Sequence, residues 1–312
     1  MKSKVLLFCT LLSAGLGLYS CDTETTGDSS NYWTRNALTH LKLRGAVKTL
    51  TQTERVYNFN TEGNLSSQVV YGNETFYHYE DGKMVRSVSY YSGSEIGDTI
   101  RYEYDNVGKF IPRSTFHLFE TGLVPALSAV ITSQGRTDYD FHGSNLWIVY
   151  SINMGNDLRA MDTAVVAFTG NYPSSYTGVF EFMNNMTYAA NGMFRTYSEG
   201  FLYPESSSTR AYSFLSNDDY LLMSSRVETS TGSYNNGTST TSYTYNSHFD
   251  VLKETYVSSY MNGDEQSSYE SETEYSDYVY DSYGNWTSRK MRSKNQDVWS
   301  AYQTETRGFE YY

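Results

Sequence analysis

One short pattern recurs along the chain and constrains its fold more than any other feature: aromatic, any residue, aromatic, Asp or Asn, two residues, Gly, Asn, then an apolar residue. The fullest copy is Tyr278-Val279-Tyr280-Asp281-Ser282-Tyr283-Gly284-Asn285-Trp286. Tyr57-Asn58-Phe59-Asn60-Thr61-Glu62-Gly63-Asn64-Leu65 matches at every defined position, and Tyr102–Phe110 loses only the Asn. Shortened or eroded copies are Tyr77–Gly82, Tyr139-Asp140-Phe141, Phe180-Glu181-Phe182, Tyr212-Ser213-Phe214 and Tyr243–Asn246. The chain ends on half a unit, Phe309-Glu310-Tyr311-Tyr312. Successive copies start 20 to 41 residues apart, the range of repeat architectures.

Each unit reads as a β-hairpin. Aromatics at i and i+2 lie on the same face of a strand. Asp or Asn then bonds its own backbone and opens a turn. Gly three residues later supplies a positive φ, as in a type I turn with a G1 bulge. The apolar residue after Gly-Asn starts the return strand and packs across from the aromatic pair. Hairpins in series give an all-β, antiparallel meander. Composition agrees: 32 Tyr and 15 Phe suit a half-buried sheet face, and only 4 Pro interrupt the chain. A sheet with one aromatic face must cover it, so the meander is expected to curl into an open barrel, a spiral or a roll. One domain is expected over 32–312, with a short helix at its entrance within Asn31–His40. The stretch Pro112 to Pro173 fits the repeat poorly and is expected to carry longer loops.

The N-terminus carries a different signal. Lys2 and Lys4 precede an apolar run, Val5 to Leu18, too short for a spanning helix of about 20 residues. Leu18-Tyr19-Ser20-Cys21 resembles the bacterial lipobox at three of its four positions, with Tyr19 bulkier than usual. That resemblance implies a removable signal over 1–20, lipid on Cys21 and, through it, a membrane as partner. Residues 21–31 then form the lipidated Cys and a polar, acidic tether that no core can include. An acidic stretch directly after the lipidated Cys also resembles the surface-export signal of Bacteroidetes lipoproteins. It implies an outer-membrane lipid anchor, at the cell surface rather than the periplasmic face. The other cysteine, Cys9, lies inside the signal, so no thiol remains for a disulfide or a Cys-ligated metal.

The motif itself is similar to the YD (RHS) repeat of large secreted bacterial shell proteins. Closer still, Tyr278 to Arg289, the terminal Arg307–Tyr312 and the opening Leu43-Arg44-Gly45-Ala46-Val47-Lys48 look like Bacteroidetes lipoproteins with RHS-like repeats. The resemblance implies the hairpin fold and no particular activity.

No catalytic or nucleotide-binding motif is present. The five histidines are scattered, with none at ligand spacing. Asp138-Tyr139-Asp140 has the start of a calcium loop, but the twelfth position is Val149, where a bidentate Glu is required. No cofactor is expected. A formal charge of -12 argues against nucleic acid. Trp33, Trp147, Trp286 and Trp299 are the tryptophans able to stack on a sugar ring, and Trp147 and Trp299 are the candidate ligand platforms among them. The chain is therefore expected to be a non-enzymatic envelope lipoprotein with a binding or structural role and a glycan or envelope-protein ligand. A periplasm-facing scaffold or assembly factor is the alternative, and a glycoside-active enzyme the third.

Overall fold

The repeated turn forms where the motif is complete. In the computed structural model the described residues are 31–94, 97–105, 108–112, 123–125, 127–154, 157–178, 181–203, 206–217, 219–232, 236–262, 265–295 and 297–312. The expected export signal over 1–20, Cys21 and most of the expected tether lie outside them. In the loop 281–285, Asp281 N–H donates to Asn285 O at 2.9 Å and Gly284 N–H to Asp281 O at 3.1 Å. The Asp281 carboxylate accepts from Asn285 N–H at 2.9 Å. The loop 60–64 repeats all three bonds, with Asn60 in place of Asp281. Gly284 and Gly63 sit at φ of 86° and 77°, the left-handed region the motif reserves for glycine.

Two further loops have the same ring of bonds with altered chemistry. In 246–250 the left-handed position is Phe249, at φ 65°. In 189–193 the loop opens on Ala189, and Asn191 Oδ1 accepts from Met193 N–H at 3.2 Å in place of the missing first side chain. Tyr77–Gly82 resolves differently. Asp81 and Gly82 are both at positive φ and form a two-residue turn, with Glu80 facing Lys83.

The strands pair antiparallel in chain order and 22 of them form one sheet. It opens with Val47–Gln52, Arg55–Phe59, Leu65–Val70, Asn73–Glu80 and Lys83–Tyr90, and closes with Val251–Asn262, Glu265–Tyr280 and Trp286–Asn295. Two short strands, Phe110–Pro112 and Leu123–Pro125, pair apart from it. The sheet is not closed into a barrel. Instead the last stretch of chain is shared between its two ends. Gln303–Thr306 pairs with Trp286–Asn295, and Gly308–Tyr311 pairs with Val47–Gln52. Arg307 stands between the two halves, its N–H on Thr287 O at 2.9 Å. This seam brings the entrance and the end of the described domain together.

Two sequence expectations need correction. The described residues between Pro112 and Pro173 are largely strand, including Gly135–His142, Asn145–Met154 and Asp157–Thr169, while 113–122, where part of the loop expectation falls, lie outside the described residues. Alternation there is carried by Leu, Ile, Val and Ala in place of the aromatic pair, so the motif does not detect it. Glu181 and Phe182 of the copy Phe180-Glu181-Phe182 begin a strand, Glu181–Tyr188, and the turn comes seven residues on, after Tyr188; Phe180 lies outside the described residues.

Burial divides the sheet. Tyr57, Phe59, Tyr77 and Leu65 form one core with Leu38 of the short helix Ala37–His40 and Leu43. Tyr102, Tyr139, Leu146 and Val166 belong to a second. Trp33 of the 3-10 turn Tyr32–Thr34 joins Phe194, Tyr197 and Tyr212 in a third. From Met223 to Tyr280, by contrast, only Thr241 and Ser258 are buried among the described residues. The expected covering of the aromatic face therefore stops short of this region. In Glu265–Tyr280 one face carries Glu270, Glu272 and Glu274, the other Ser267, Tyr269, Thr273 and Tyr275. Neither is the apolar band that contact with lipid chains requires. Cross-strand pairs and the backbone ladder hold this part together, among them Lys253–Glu272 at 2.8 Å and Arg292–Glu274 at 2.7 Å. Among the described residues no helix is long and apolar enough to cross a membrane.

Candidate functional site

The seam encloses a cavity of about 150 Å³. Four cations line it: Lys42 and Arg44 from the entry segment, Arg289 from Trp286–Asn295, and Arg307 from the junction of the terminal strands. Asp250, at the end of the 246–250 loop, is the one lining carboxylate, and Trp286 forms part of the wall.

Two of the repeated loops build the walls. The 281–285 loop docks the entry segment: Asn285 Oδ1 accepts from Arg44 N–H at 2.8 Å, and Asn285 Nδ2 donates to Arg44 O at 2.7 Å and to the Tyr311 hydroxyl at 2.9 Å. Gly284 sits at φ 86°, and a Cβ there would stand 2.6 Å from Arg44 Nη1, so any other residue would be strained and would displace the guanidinium. The 246–250 loop supplies the opposite side. Phe249 O accepts from Lys42 Nζ at 3.3 Å, and His248 Nδ1 lies 3.3 Å from Arg44 Nη1. Asp250 is held by the Tyr280 hydroxyl, which donates to Oδ2 at 3.0 Å.

The cations meet mostly neutral groups. Arg307 donates through Nε to Gln52 Oε1 at 2.9 Å and rests 3.8 Å above the centre of the Trp286 ring. Arg289 lies 4.4 Å from the same ring and 4.0 Å from that of Tyr275. It also pairs with Glu305 at 2.6 Å. Lys42, Arg44 and Arg307 make no ion pair among the described residues. Burial pulls the Lys42 ammonium below the ordinary lysine value; Asp250 opposes this, and the Arg307 and Arg289 charges reinforce it. Burial, with repulsion from Arg289, brings Arg307 down to about 10. Burial also works against the charge of Arg289, but hydrogen bonds and attraction from Tyr278 and Glu305 outweigh it, so its pKa rises. Lys42 and Arg307, whose charged forms burial and like-charge repulsion disfavour, stand where an anion would relieve them.

The residues singled out from sequence stand elsewhere. Trp147 is exposed on Asn145–Met154, edge-on to His142 at 6.2 Å. Trp299 is half-buried beneath Arg292, whose guanidinium lies 4.2 Å from the ring centre. No ring contact joins the two among the described residues, and neither lines the cavity. Cys21 lies outside the described residues. Asp138 of the calcium-like segment is in mid-strand, paired with Arg136 at 2.5 Å. Among the described residues no group of His, Cys, Asp and Glu is arranged to hold a metal ion.

Sequence reasoning overlooks the cavity. Arg44, Arg289 and Arg307 all fall inside segments that the repeat resemblance assigns to the fold, and the acidic total draws attention away from local positive charge. The available signal is the pair of arginines flanking the C-terminal half-unit's approach, Arg289 and Arg307, with Trp286 in the same motif.

No protein-family model matches the chain, and no curated protein matches it. One solved structure with a loose similarity is described as a porin-like protein from Bacteroides vulgatus ATCC 8482. It aligns at a TM-score of 0.30 and 9% identity, covering 85% of this chain and 98% of that one. A likeness at that level carries no functional argument.

Proposed function

We propose that this protein is a non-enzymatic, lipid-tethered envelope protein that binds an anionic ligand in the cavity at the sheet seam. One observation carries the reading. A chain with a formal charge of -12 gathers four cations around one small cavity and, among the described residues, gives three of them no ion-pair partner. Half-burying charges against neutral partners alone is costly, and an incoming anion supplies the opposite charge they lack. The walls offer no paired carboxylates and no nucleophile–base pair, which favours binding over glycoside hydrolysis. Support for the tether comes from the lipobox-like Leu18–Cys21 and the acidic stretch behind it. The same stretch favours display on the outer face. The sequence-derived glycan ligand is retained in a narrower form, an acidic one.

Two measurements test the reading. Titration calorimetry of the full chain in detergent against small oxyanions should show saturable binding that weakens as salt rises; no binding by any of them removes the proposed function. For location, protease treatment of intact cells should degrade the protein, and Cys21→Ser should release it from the membrane fraction. Protection until lysis would favour the periplasm-facing alternative.

A further inference from the structure

The charge and shape of the cavity narrow the ligand class, and this step rests on the anion-binding reading above. Four cations face two carboxylates, Asp250 on the wall and Glu305 on Arg289, which leaves two positive charges over. The three arginines offer planar forks and Lys42 a point charge, a donor set suited to a tetrahedral oxyanion approached from several sides. The cations also come from separate parts of the chain. Lys42 and Arg44 precede the first strand, Arg289 lies in Trp286–Asn295, and Arg307 joins Gln303–Thr306 to Gly308–Tyr311. Any group that bonds to them at once ties the entrance of the domain to its end.

We propose that the cavity takes the dianionic head of a phosphate monoester, and that the bound phosphate staples the entry segment to the C-terminal strand. A phosphate monoester carries close to two negative charges at neutral pH, matching the excess, whereas a carboxylate or a sulfate ester carries one. A volume of about 150 Å³ admits a ligand the size of one small ring, so the phosphate enters with little of the group that bears it. The shared chemistry leaves two sources, a soluble sugar phosphate and the phosphate of a lipid headgroup.

The test compares methyl phosphate with methyl sulfate, two probes of the same shape and different charge, by calorimetry on the full chain in detergent. Methyl phosphate should bind at least tenfold tighter, and its advantage should shrink below the second phosphate pKa of about 6. Lys42→Met and Arg307→Met should each weaken it at least tenfold, while Lys290→Met, on an exposed lysine outside the cavity, should not. Lys42→Met keeps the test alive if Arg307→Met fails to fold. Hydrogen exchange on the same samples should slow at Leu41–Arg44 and Gly308–Tyr311 when methyl phosphate is added. Glucose 1-phosphate and phosphatidylcholine vesicles with phosphatidic acid then serve as competitors, and whichever displaces the probe identifies the source. Equal binding of the two methyl esters, or tighter binding of glucuronate, overturns the phosphate assignment and leaves the anion site standing. Phosphate binding that survives both cavity substitutions, or leaves exchange at the seam unchanged, also overturns the proposal. Binding of no anion at all removes the site itself.

Discussion

Asn285 bonds to both backbone groups of Arg44, 241 residues away, accepting from its N–H at 2.8 Å and donating to its O at 2.7 Å. The side chain is 4% exposed and gives its second amide hydrogen to Tyr311. The motif's Gly-Asn pair therefore does two jobs at this copy. Glycine turns the chain, and asparagine clamps the entry segment onto the turn.

That clamp predicts unequal costs for equivalent residues. Asn285→Ala leaves the Arg44 N–H and O without their partners in a nearly dry site and should cost about 2–3 kcal/mol. Asn64 occupies the same place in the 60–64 loop, where its side chain makes no hydrogen bond among the described contacts. Asn64→Ala should cost roughly 0.5 kcal/mol or less. Urea unfolding of both variants reads the difference, and equal losses would show that the clamp contributes nothing special.

Gly284 separates stability from binding. Alanine at a left-handed position costs about 1–2 kcal/mol for the backbone alone. Gly82→Ala should show that cost and nothing more, since nothing lies within 4 Å of its added Cβ. Gly284→Ala should add a severalfold loss of anion affinity, because its Cβ meets Arg44 Nη1 at 2.6 Å and pushes the guanidinium away. Calorimetry on the two alanine variants distinguishes them.

Asp250 gives a test with the opposite sign. Its carboxylate is the one negative group on the cavity wall, so Asp250→Asn should tighten oxyanion binding. A charge removed at about 4 Å in a partly screened site is worth about 1.4 kcal/mol or more, hence roughly a tenfold gain in affinity. A loss of affinity would mean that Asp250 orients the cations through its bond from Tyr280 instead of competing with the ligand.

His40 makes stability fall toward acid. Its ring is edge-on to Tyr32 at 4.7 Å and stacked on Trp33 at 6.3 Å, so it is enclosed by aromatics although part of the residue still reaches water. Burial lowers its pKa from 6.5 to about 4. The unfolded chain therefore takes up a proton at a higher pH than the folded chain. The stability from the neutral ring is fully present above 6.5 and is lost as pH falls from there toward 4. Urea midpoints measured at about pH 7 and about pH 5 should differ for the native chain and differ less for His40→Asn. An unchanged slope in the variant would assign the acid sensitivity to other groups.

The division in burial predicts a division in dynamics. Backbone amides of Val47–Gln52, Arg55–Phe59 and Leu65–Val70 sit over a packed core. Apart from Met223, which packs against the third core, those of Met223–Gly232, Asn236–Tyr245 and Val251–Asn262 do not, so local opening there breaks few apolar contacts. Hydrogen exchange should be faster in the second group. Equal protection would mean that the ladder and cross-strand pairs alone suffice.

The sequence by itself determined the local architecture. A hairpin is encoded within one short stretch, since the aromatic pair, the turn-opening Asp or Asn and the left-handed Gly are near neighbours whose preferences do not depend on the rest of the fold. Where another residue takes over one of those roles the signal weakens: the copy Tyr243–Asn246 keeps the aromatic pair and the Asn but has Phe249 in place of the glycine, and the 189–193 loop, where Asn191 stands in for the first-position side chain, escapes the pattern. The tertiary structure decided the seam, the uncovered part of the sheet and the cavity. Lys42, Asp250, Arg289 and Arg307 are each unremarkable in their own stretch of chain. Their meeting depends on where the sheet, after all its turns, returns the last strand to the first, and that position is set by pairing and twist summed over many strands, which no local pattern records.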